Sequence, residues 1–167
     1  MEKFSSYVFF VLLNILVAGD AQDTSTIFLR LFKRDGSYLD AHVLNTEELV
    51  TVAEQLQQNE STVIFIHGFT ESINSDDVHL ITSAYLEATN DNVLAVDYRE
   101  IAALPYIIGA TIFDEVAKSV GEALNILASS GMNPETLHVI GHSLGAQVSG
   151  LLGKNMNFRI PRITGAV

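Results

Sequence analysis

The 167-residue sequence contains no cysteine, so no disulfide framework can indicate an extracellular location. Basic residues are also scarce, since nine Lys and Arg stand against twenty Asp and Glu and the formal net charge is −11. This balance argues against nucleic acid as a partner, because phosphate backbones attract basic surfaces. The chain has no internal repeat, low-complexity tract or linker. With a hydrophobic content of 48%, it is predicted to form one globular domain.

The N-terminal residues 1–21 follow the order of a secretory signal peptide. A charged start precedes an apolar run over 7–18, broken by one asparagine, and small and polar residues follow it. The run is shorter than the ~20 residues that cross a bilayer, so we favour a signal peptide over a membrane anchor. Cleavage after Gly19 or after Ala21 would release a secreted product. In that case Asn59, which begins an Asn-Glu-Ser sequon, becomes a candidate glycosylation site.

Strand-like and helix-like stretches then alternate along the chain. Continuous apolar runs predict buried strands, and apolar residues at helical spacing predict helices. The predicted strands are Ile27–Lys33, Thr62–Ile66, Asn92–Val96, 136–140 and Phe158–Thr164, the last interrupted by Pro161. The predicted helices are Thr46–Gln57 with Thr46 as its cap, a helix capped by Ser75 that reaches Ala88, one from Ile112 to Gly131, and 144–154. This alternation predicts an α/β fold with a mainly parallel sheet and flanking helices.

One serine stands between two glycines where a strand pattern meets a helix pattern, in the order Gly141-His142-Ser143-Leu144-Gly145. A strand that turns sharply into a helix strains its corner residue and holds the side chain clear of the sheet. Small residues are needed on either side, because any side chain there would collide with the adjoining strand and helix. The pentapeptide also occurs by chance, but its strand–turn–helix context predicts the nucleophile elbow of an α/β-hydrolase.

A nucleophilic serine needs an oxyanion hole, a base and an orienting acid. One oxyanion donor is the backbone N–H of the residue after the nucleophile, here Leu144 at the start of a helix. The other comes from the loop after an earlier strand, and Thr62–Ile66 is followed by His67, Gly68 and Phe69. We therefore expect the N–H of Phe69 to donate. His67 either holds this loop by hydrogen bonds or is an ordinary polar residue at a strand end.

The chain resembles the pancreatic-lipase family of neutral lipases and phospholipases A1, including its insect members. The resemblance covers about Ile27 to Gly165 and rests on stretches in family order, which are 66–69 with Ser72, 92–98, 137–146 and 161–165. It implies that residues 22–167 form the N-terminal part of an α/β-hydrolase domain, with Ser143 as nucleophile and Phe69 and Leu144 as oxyanion donors. The implied activity is hydrolysis of triglyceride or phospholipid esters through an acyl-serine at a lipid–water interface, without a cofactor or metal ion.

Two positions outside the triad are compared with the family pattern, and one of them departs from it. Gln147 stands where family members usually have histidine. Asp97 matches a family aspartate that is not the triad acid, so its expected role is structural.

A larger departure lies at the C-terminal end. Family members continue from Ile-Thr-Gly into Leu-Asp-Pro-Ala, whose aspartate is the triad acid, whereas Val167 stands at that place here. No Asp, Glu or His follows Ser143 in the sequence. His138 lies within a strand and His142 flanks the serine, so neither is placed to act as the base. Because losing triad members costs ~10⁴–10⁶ in rate, we expect a truncated form that is inactive by itself.

Two other function classes stay open. A secreted lipid-binding or yolk-type storage protein of the same family would need neither acid nor base, although it would have no need of a strained Ser143. A peptidase can use the same elbow, but the wider resemblance disfavours it. The sequence does not distinguish lipase from phospholipase A1.

Overall fold

The strands and helices follow one another as a strand hairpin and then alternating units. In this computed structural model, residues 24–104 and 109–166 are described, without the side chains of 109–111, and the predicted signal peptide lies outside them. The strands are β1 (Phe28–Phe32), β2 (Tyr38–His42), β3 (Thr62–Ile66), β4 (Asn92–Asp97), β5 (Leu137–His142) and β6 (Arg162–Ala166). The helices are α1 (Thr46–Glu54), α2 (Asp76–Ala88), α3 (Arg99–Ala102), α4 (Gly109–Ser129) and α5 (Leu144–Leu152).

The six strands form one mixed sheet in the order β2-β1-β4-β3-β5-β6. Strands β4, β3, β5 and β6 run parallel to one another, whereas β1 runs antiparallel to both β2 and β4. Helices connect the parallel strands, as the crossover between parallel neighbours requires. The predicted α/β architecture with a mainly parallel sheet is confirmed.

Helices cover both faces of the sheet. The larger core lies between one face and helices α1, α4 and α5, whereas α2 covers the other face with a smaller core around Phe65, Ile73 and Val78. All five residues of β3 are buried, as its unbroken apolar run predicts for a central strand. None of the helices within the described ranges is both long and apolar enough to cross a membrane.

The hairpin partner of β1 is an element that the sequence did not predict. Strand β2 lies at the edge of the sheet, and only Ala41 of its five residues is buried, so its sequence lacks the apolar run of a buried strand. Its pairing is strengthened across the strands, where Arg30 Nε donates to Asp40 at 2.7 Å and the guanidinium lies 3.7 Å from the ring centroid of Tyr38.

Of the two predicted helix caps, Thr46 is wrong, whereas Ser75 has the predicted position but does not bond the helix through its side chain. The cap of α1 is Asn45 rather than Thr46, since Asn45 Oδ1 accepts from the N–H groups of Glu47 and Glu48 at 3.1 and 3.2 Å. Ser75 does occupy the cap position of α2, but its hydroxyl accepts from Ser72 N–H instead of from the helix.

The last predicted strand is displaced along the chain. Strand β6 begins after Pro161 instead of at Phe158, because proline has no N–H to donate to the ladder of β5. The strand forms the other edge of the sheet, and the side chain of Ile163 is 46% exposed.

Candidate active site

The central strands β3 and β5 bring two loops together at one edge of the sheet. Ile66 at the end of β3 pairs with Gly141 near the end of β5. Because the carboxyl ends of parallel strands meet at the same edge, the loop that starts at His67 lies beside the turn at Ser143. The two stretches that the sequence singled out are therefore neighbours.

Ser143 occupies the sharp turn between β5 and α5. Its φ is 48° and its ψ is −111°, and the side chain is exposed. Among the described residues other than glycine, only Ser143 and Thr70 have positive φ. The N–H of Ser143 donates to Ala166 O on β6 at 2.8 Å, which holds the turn against the sheet. This is the strained, outward-facing corner that the pentapeptide predicts.

Glycines on both sides of the serine allow a contact that no other residue would permit. A Cβ at Gly141 would lie 2.3 Å from Gly145 O and 2.5 Å from Ser149 Oγ. A Cβ at Gly145 would lie 2.0 Å from Ile66 O. Such distances fall well inside van der Waals contact, so the helix start can sit directly against the ends of β3 and β5 only with glycine at both places.

Two backbone N–H groups near Ser143 match the predicted oxyanion donors. Leu144 is the first residue of α5, whose first N–H groups have no partner within the helix. Neither its N–H nor that of Phe69 donates to an acceptor within the described part of the chain. The backbone after Phe69 is fixed by Thr70, whose φ is 59° and whose N–H donates to Ala102 O at 3.0 Å. Their catalytic roles, like that of Ser143, stay predictions.

His67 holds its loop by hydrogen bonds. Its Nδ1 donates to Gly68 O at 3.0 Å, and its Nε2 accepts from Tyr98 N–H at 3.3 Å. The ring stacks on Tyr98 with centroids 4.4 Å apart, and the Tyr98 hydroxyl donates to His67 O at 2.6 Å. Burial, with the nearby charge of Glu71, raises the pKa of Tyr98, so its hydroxyl remains a donor. Both ring nitrogens of His67 are engaged, which leaves neither free to serve as a base.

Asp97 has the structural role that was expected for it. Burial by itself raises the pKa of the Asp97 carboxyl, but the Arg99 guanidinium outweighs burial and holds that pKa well below its usual range. The Asp97 Oδ1 lies 3.6 Å from His67 Nε2, which already accepts from Tyr98 N–H and has no proton to share. Arg99, which contacts both carboxylate oxygens, is therefore the principal partner of Asp97.

An acidic group beside the site had no signal in the sequence. Glu71 Oε2 accepts from Gly68 N–H at 2.6 Å, and its Oε1 lies 2.9 Å from His142 Nδ1. Asp77 Oδ2 is 3.8 Å from the same nitrogen. One ligand atom from each of Glu71, Asp77 and His142 lies within 4.8 Å of the others. Neither carboxylate belongs to a recognisable motif, so only the fold reveals the cluster.

The described residues offer no general base to Ser143. Its hydroxyl makes no hydrogen bond to an imidazole within them. His138 instead contacts Tyr85 Oη at 3.3 Å and Thr164 Oγ1 at 2.9 Å. Burial, together with the charge of Arg162, lowers the pKa of His138.

The predicted glycosylation residue, Asn59, is exposed in the turn between α1 and β3.

Comparison with known families decides the lineage. The Lipase family matches residues 16–166. The chain belongs to the Lipase family. This membership, together with the mainly parallel sheet, confirms both the predicted family and the α/β-hydrolase fold.

Several lipases are similar in sequence to this member of the family. Pancreatic lipase-related protein 2 of Cavia porcellus is 29% identical over 148 residues, which are 88% of this chain and 34% of that protein. Pancreatic triacylglycerol lipase of Sus scrofa is 29% identical over 77% of this chain and 30% of its own length. Lipoprotein lipase of Neovison vison is 32% identical over 62% of this chain and 22% of its own length. The chain thus spans about a third or less of these relatives.

Among solved structures, the likeness is more distant. A phospholipase/carboxylesterase from Dyadobacter fermentans aligns with a TM-score of 0.44 and 16% identity, over 57% of this chain and 48% of that chain. Esterase B from Lactobacillus rhamnosis aligns with a TM-score of 0.40 and 13% identity, over 89% and 46% respectively.

Proposed function

We propose that this chain carries the nucleophile and oxyanion hole of a secreted lipid carboxylic-ester hydrolase, either a triacylglycerol lipase or a phospholipase A1. The observation that carries the proposal is the exposed Ser143 at a strained strand–helix corner, beside the loop of Phe69, in a member of the Lipase family. The names of its relatives support lipid esters as the substrate class. A signal peptide at residues 1–21 would direct the product out of the cell.

The proposed reaction has two halves. Ser143 Oγ attacks the ester carbonyl carbon and gives its proton to a base, while the carbonyl oxygen becomes an oxyanion. The N–H groups of Phe69 and Leu144 donate to this oxyanion, and the alcohol then leaves with the proton held by the base. Water next attacks the acyl-serine in the same way and releases the fatty acid. The described residues bring no base to Ser143, so other residues would supply the base and its acid partner.

A second candidate is a secreted lipid-binding or storage protein without catalysis. It is favoured by one observation, which is that the described residues bring no imidazole to the Ser143 hydroxyl. The strained backbone at Ser143 favours the hydrolase, since a binding protein gains nothing from holding a serine in that conformation.

The two candidates differ in serine-dependent turnover. The test uses a form that continues after Val167 into residues supplying a carboxylate and a histidine, which we call the extended form. It is incubated with triglyceride emulsions and with phosphatidylcholine vesicles, and fatty acid release is measured. We expect release in one of the two, which also separates lipase from phospholipase A1, and none with Ser143→Ala. Lipid binding without release by the folded extended form would favour the storage protein.

A further inference from the structure

The Glu71 carboxylate contacts both segments that meet at the candidate site. Its Oε2 accepts from the N–H of Gly68, the residue before Phe69, at 2.6 Å. Its Oε1 lies 2.9 Å from Nδ1 of His142, the residue before Ser143. His142 Nδ1 makes no hydrogen bond within the described residues, so this second approach is a close packing contact. One side chain therefore touches the immediate neighbours of both functional positions.

The three groups are packed without spare room. A Cβ at Gly68 would lie 3.1 Å from Glu71 Oε1 and 3.1 Å from His142 Nδ1. The Glu71 side chain is only 19% exposed, so solvent screens its contacts less than it would at the surface. Asp77 differs, because its side chain is 55% exposed, lies 3.8 Å from the imidazole and has no hydrogen bond to the Gly68 loop within the described residues.

We propose that Glu71 is a positioning residue that sets the spacing between the N–H groups of Phe69 and Leu144. The inference rests on the proposed function, since that spacing matters only if both groups receive a developing negative charge. Such donors must lie ~2.7–3.1 Å from the oxyanion, and a misplacement of about 1 Å can cost about 10²-fold in rate. Glu71 touches neither N–H directly, so its effect passes through the backbone of Gly68 and the ring of His142.

Kinetics of the extended form test the inference against a merely structural role. Glu71→Ala is expected to lower kcat about 10²-fold, with KM changed by less than about threefold. Glu71→Gln keeps an oxygen for Gly68 N–H and is expected to restore kcat to within about tenfold of the wild type. Asp77→Asn is the matched control from the same cluster, and its kcat should stay within about twofold of the wild type.

Hydrogen exchange at Gly68 N–H tests the contact without catalysis. This amide should exchange faster in Glu71→Ala than in the wild type, and slowly in Glu71→Gln and Asp77→Asn, because only alanine removes the acceptor. Should Glu71→Ala fail to fold, Glu71→Asp replaces it, since the carboxylate then withdraws by one methylene. The same loss of kcat and of Gly68 protection is expected.

The outcomes separate this inference from the proposed function. Hydrolysis that survives Ser143→Ala refutes the proposed nucleophile, whatever Glu71 does. Serine-dependent hydrolysis whose kcat stays within about threefold in Glu71→Ala, or falls equally in Asp77→Asn, overturns only the role of Glu71. Unchanged exchange at Gly68 in Glu71→Ala overturns that role even in a form without hydrolysis.

Discussion

At the scale of single residues, backbone strain is concentrated around the candidate site. Thr70 and Ser143, with φ of 59° and 48°, lie on the two loops that meet there. A residue held in such a conformation costs about 1–3 kcal/mol and persists only where its surroundings fix it. The hydrogen bond to Ala102 O fixes the backbone of Thr70, and the hydrogen bond to Ala166 O fixes that of Ser143. The strain at Ser143 could be predicted because two glycines bracket it, whereas nothing in the sequence marks Thr70.

Two glycines of the same helix give opposite predictions for substitution by alanine. Gly145→Ala places a Cβ 2.0 Å from Ile66 O, so the free energy of unfolding should fall by about 3 kcal/mol or more. Gly150→Ala meets nothing within 4 Å and should raise it by about 0.5–1 kcal/mol, because alanine is the better helix former. Chemical denaturation of the extended form measures both. Equal effects of the two substitutions would show that the helix start is not packed as described.

At the scale of elements, the end of β4 anchors the loop that follows β3. Tyr98 binds the backbone and the ring of His67, and Asp97 binds Arg99 at the start of α3. The Asp97 pKa lies below its unfolded value of about 3.9, so the carboxylate stabilises the fold above that pH and the contribution is lost as pH falls.

The pH dependence of this anchor is testable with Asp97→Asn. The loss in free energy of unfolding caused by the substitution should be greatest near neutral pH and should shrink as pH falls below about 4. Glu87→Gln is the control, because Glu87 is exposed on α2, and its effect should stay small throughout. Denaturation curves of the extended form at several pH values give both differences. A loss for Asp97→Asn that grows on acidification would contradict the described ion pair.

Two substitutions at the start of α1 test whether Asn45 or Thr46 caps the helix. Asn45→Ala removes the acceptor of two N–H groups and should lower the free energy of unfolding by about 1 kcal/mol. Thr46→Ala lies within the helix and should change it by less than about 0.5 kcal/mol. Thermal unfolding of the two variants of the extended form ranks them. A larger loss for Thr46→Ala would indicate that Thr46, as the sequence pattern predicts, caps the helix.

Buried elements could be predicted from sequence, and edge elements could not. Strands β3 and β4 are long apolar runs because both of their faces are covered, so the pattern and the structure agree closely. Strand β2 is only partly buried, and its position depends on pairing with β1, which hydrophobic periodicity does not show. The apolar pattern predicts a strand that starts at Phe158, but Pro161 is a boundary and β6 starts at Arg162. The sequence does not predict the role of Glu71, because its contacts with Gly68 and His142 join two segments that are far apart in the sequence.

At the scale of the whole molecule, the two edges of the sheet differ. Strand β2 carries Asp40 paired with Arg30, a charge that discourages pairing with another chain. Strand β6 is exposed over most of its length and presents Ile163, which pairs with Val139 of β5, to solvent. An uncovered strand edge with exposed apolar side chains favours association.

Residues 22–167 expressed alone should associate through the exposed edge of β6. We expect poor solubility and self-association, because the β6 edge is uncovered, and no ester hydrolysis above that of a Ser143→Ala control. Size-exclusion chromatography and hydrolysis of a short-chain nitrophenyl ester measure the two properties. A monomer that unfolds cooperatively would contradict the first expectation, and serine-dependent turnover would contradict the second.

The central claim is that Ser143 is the nucleophile of a lipid ester hydrolase, and covalent labelling tests it most directly. The extended form is treated with a fluorophosphonate probe, and the modified residue is located by mass spectrometry. The account predicts a single phosphonate adduct on Ser143 Oγ, absent in a Ser143→Ala variant that unfolds at nearly the same temperature as the wild type. An adduct on another residue, or labelling that persists in Ser143→Ala, would contradict it.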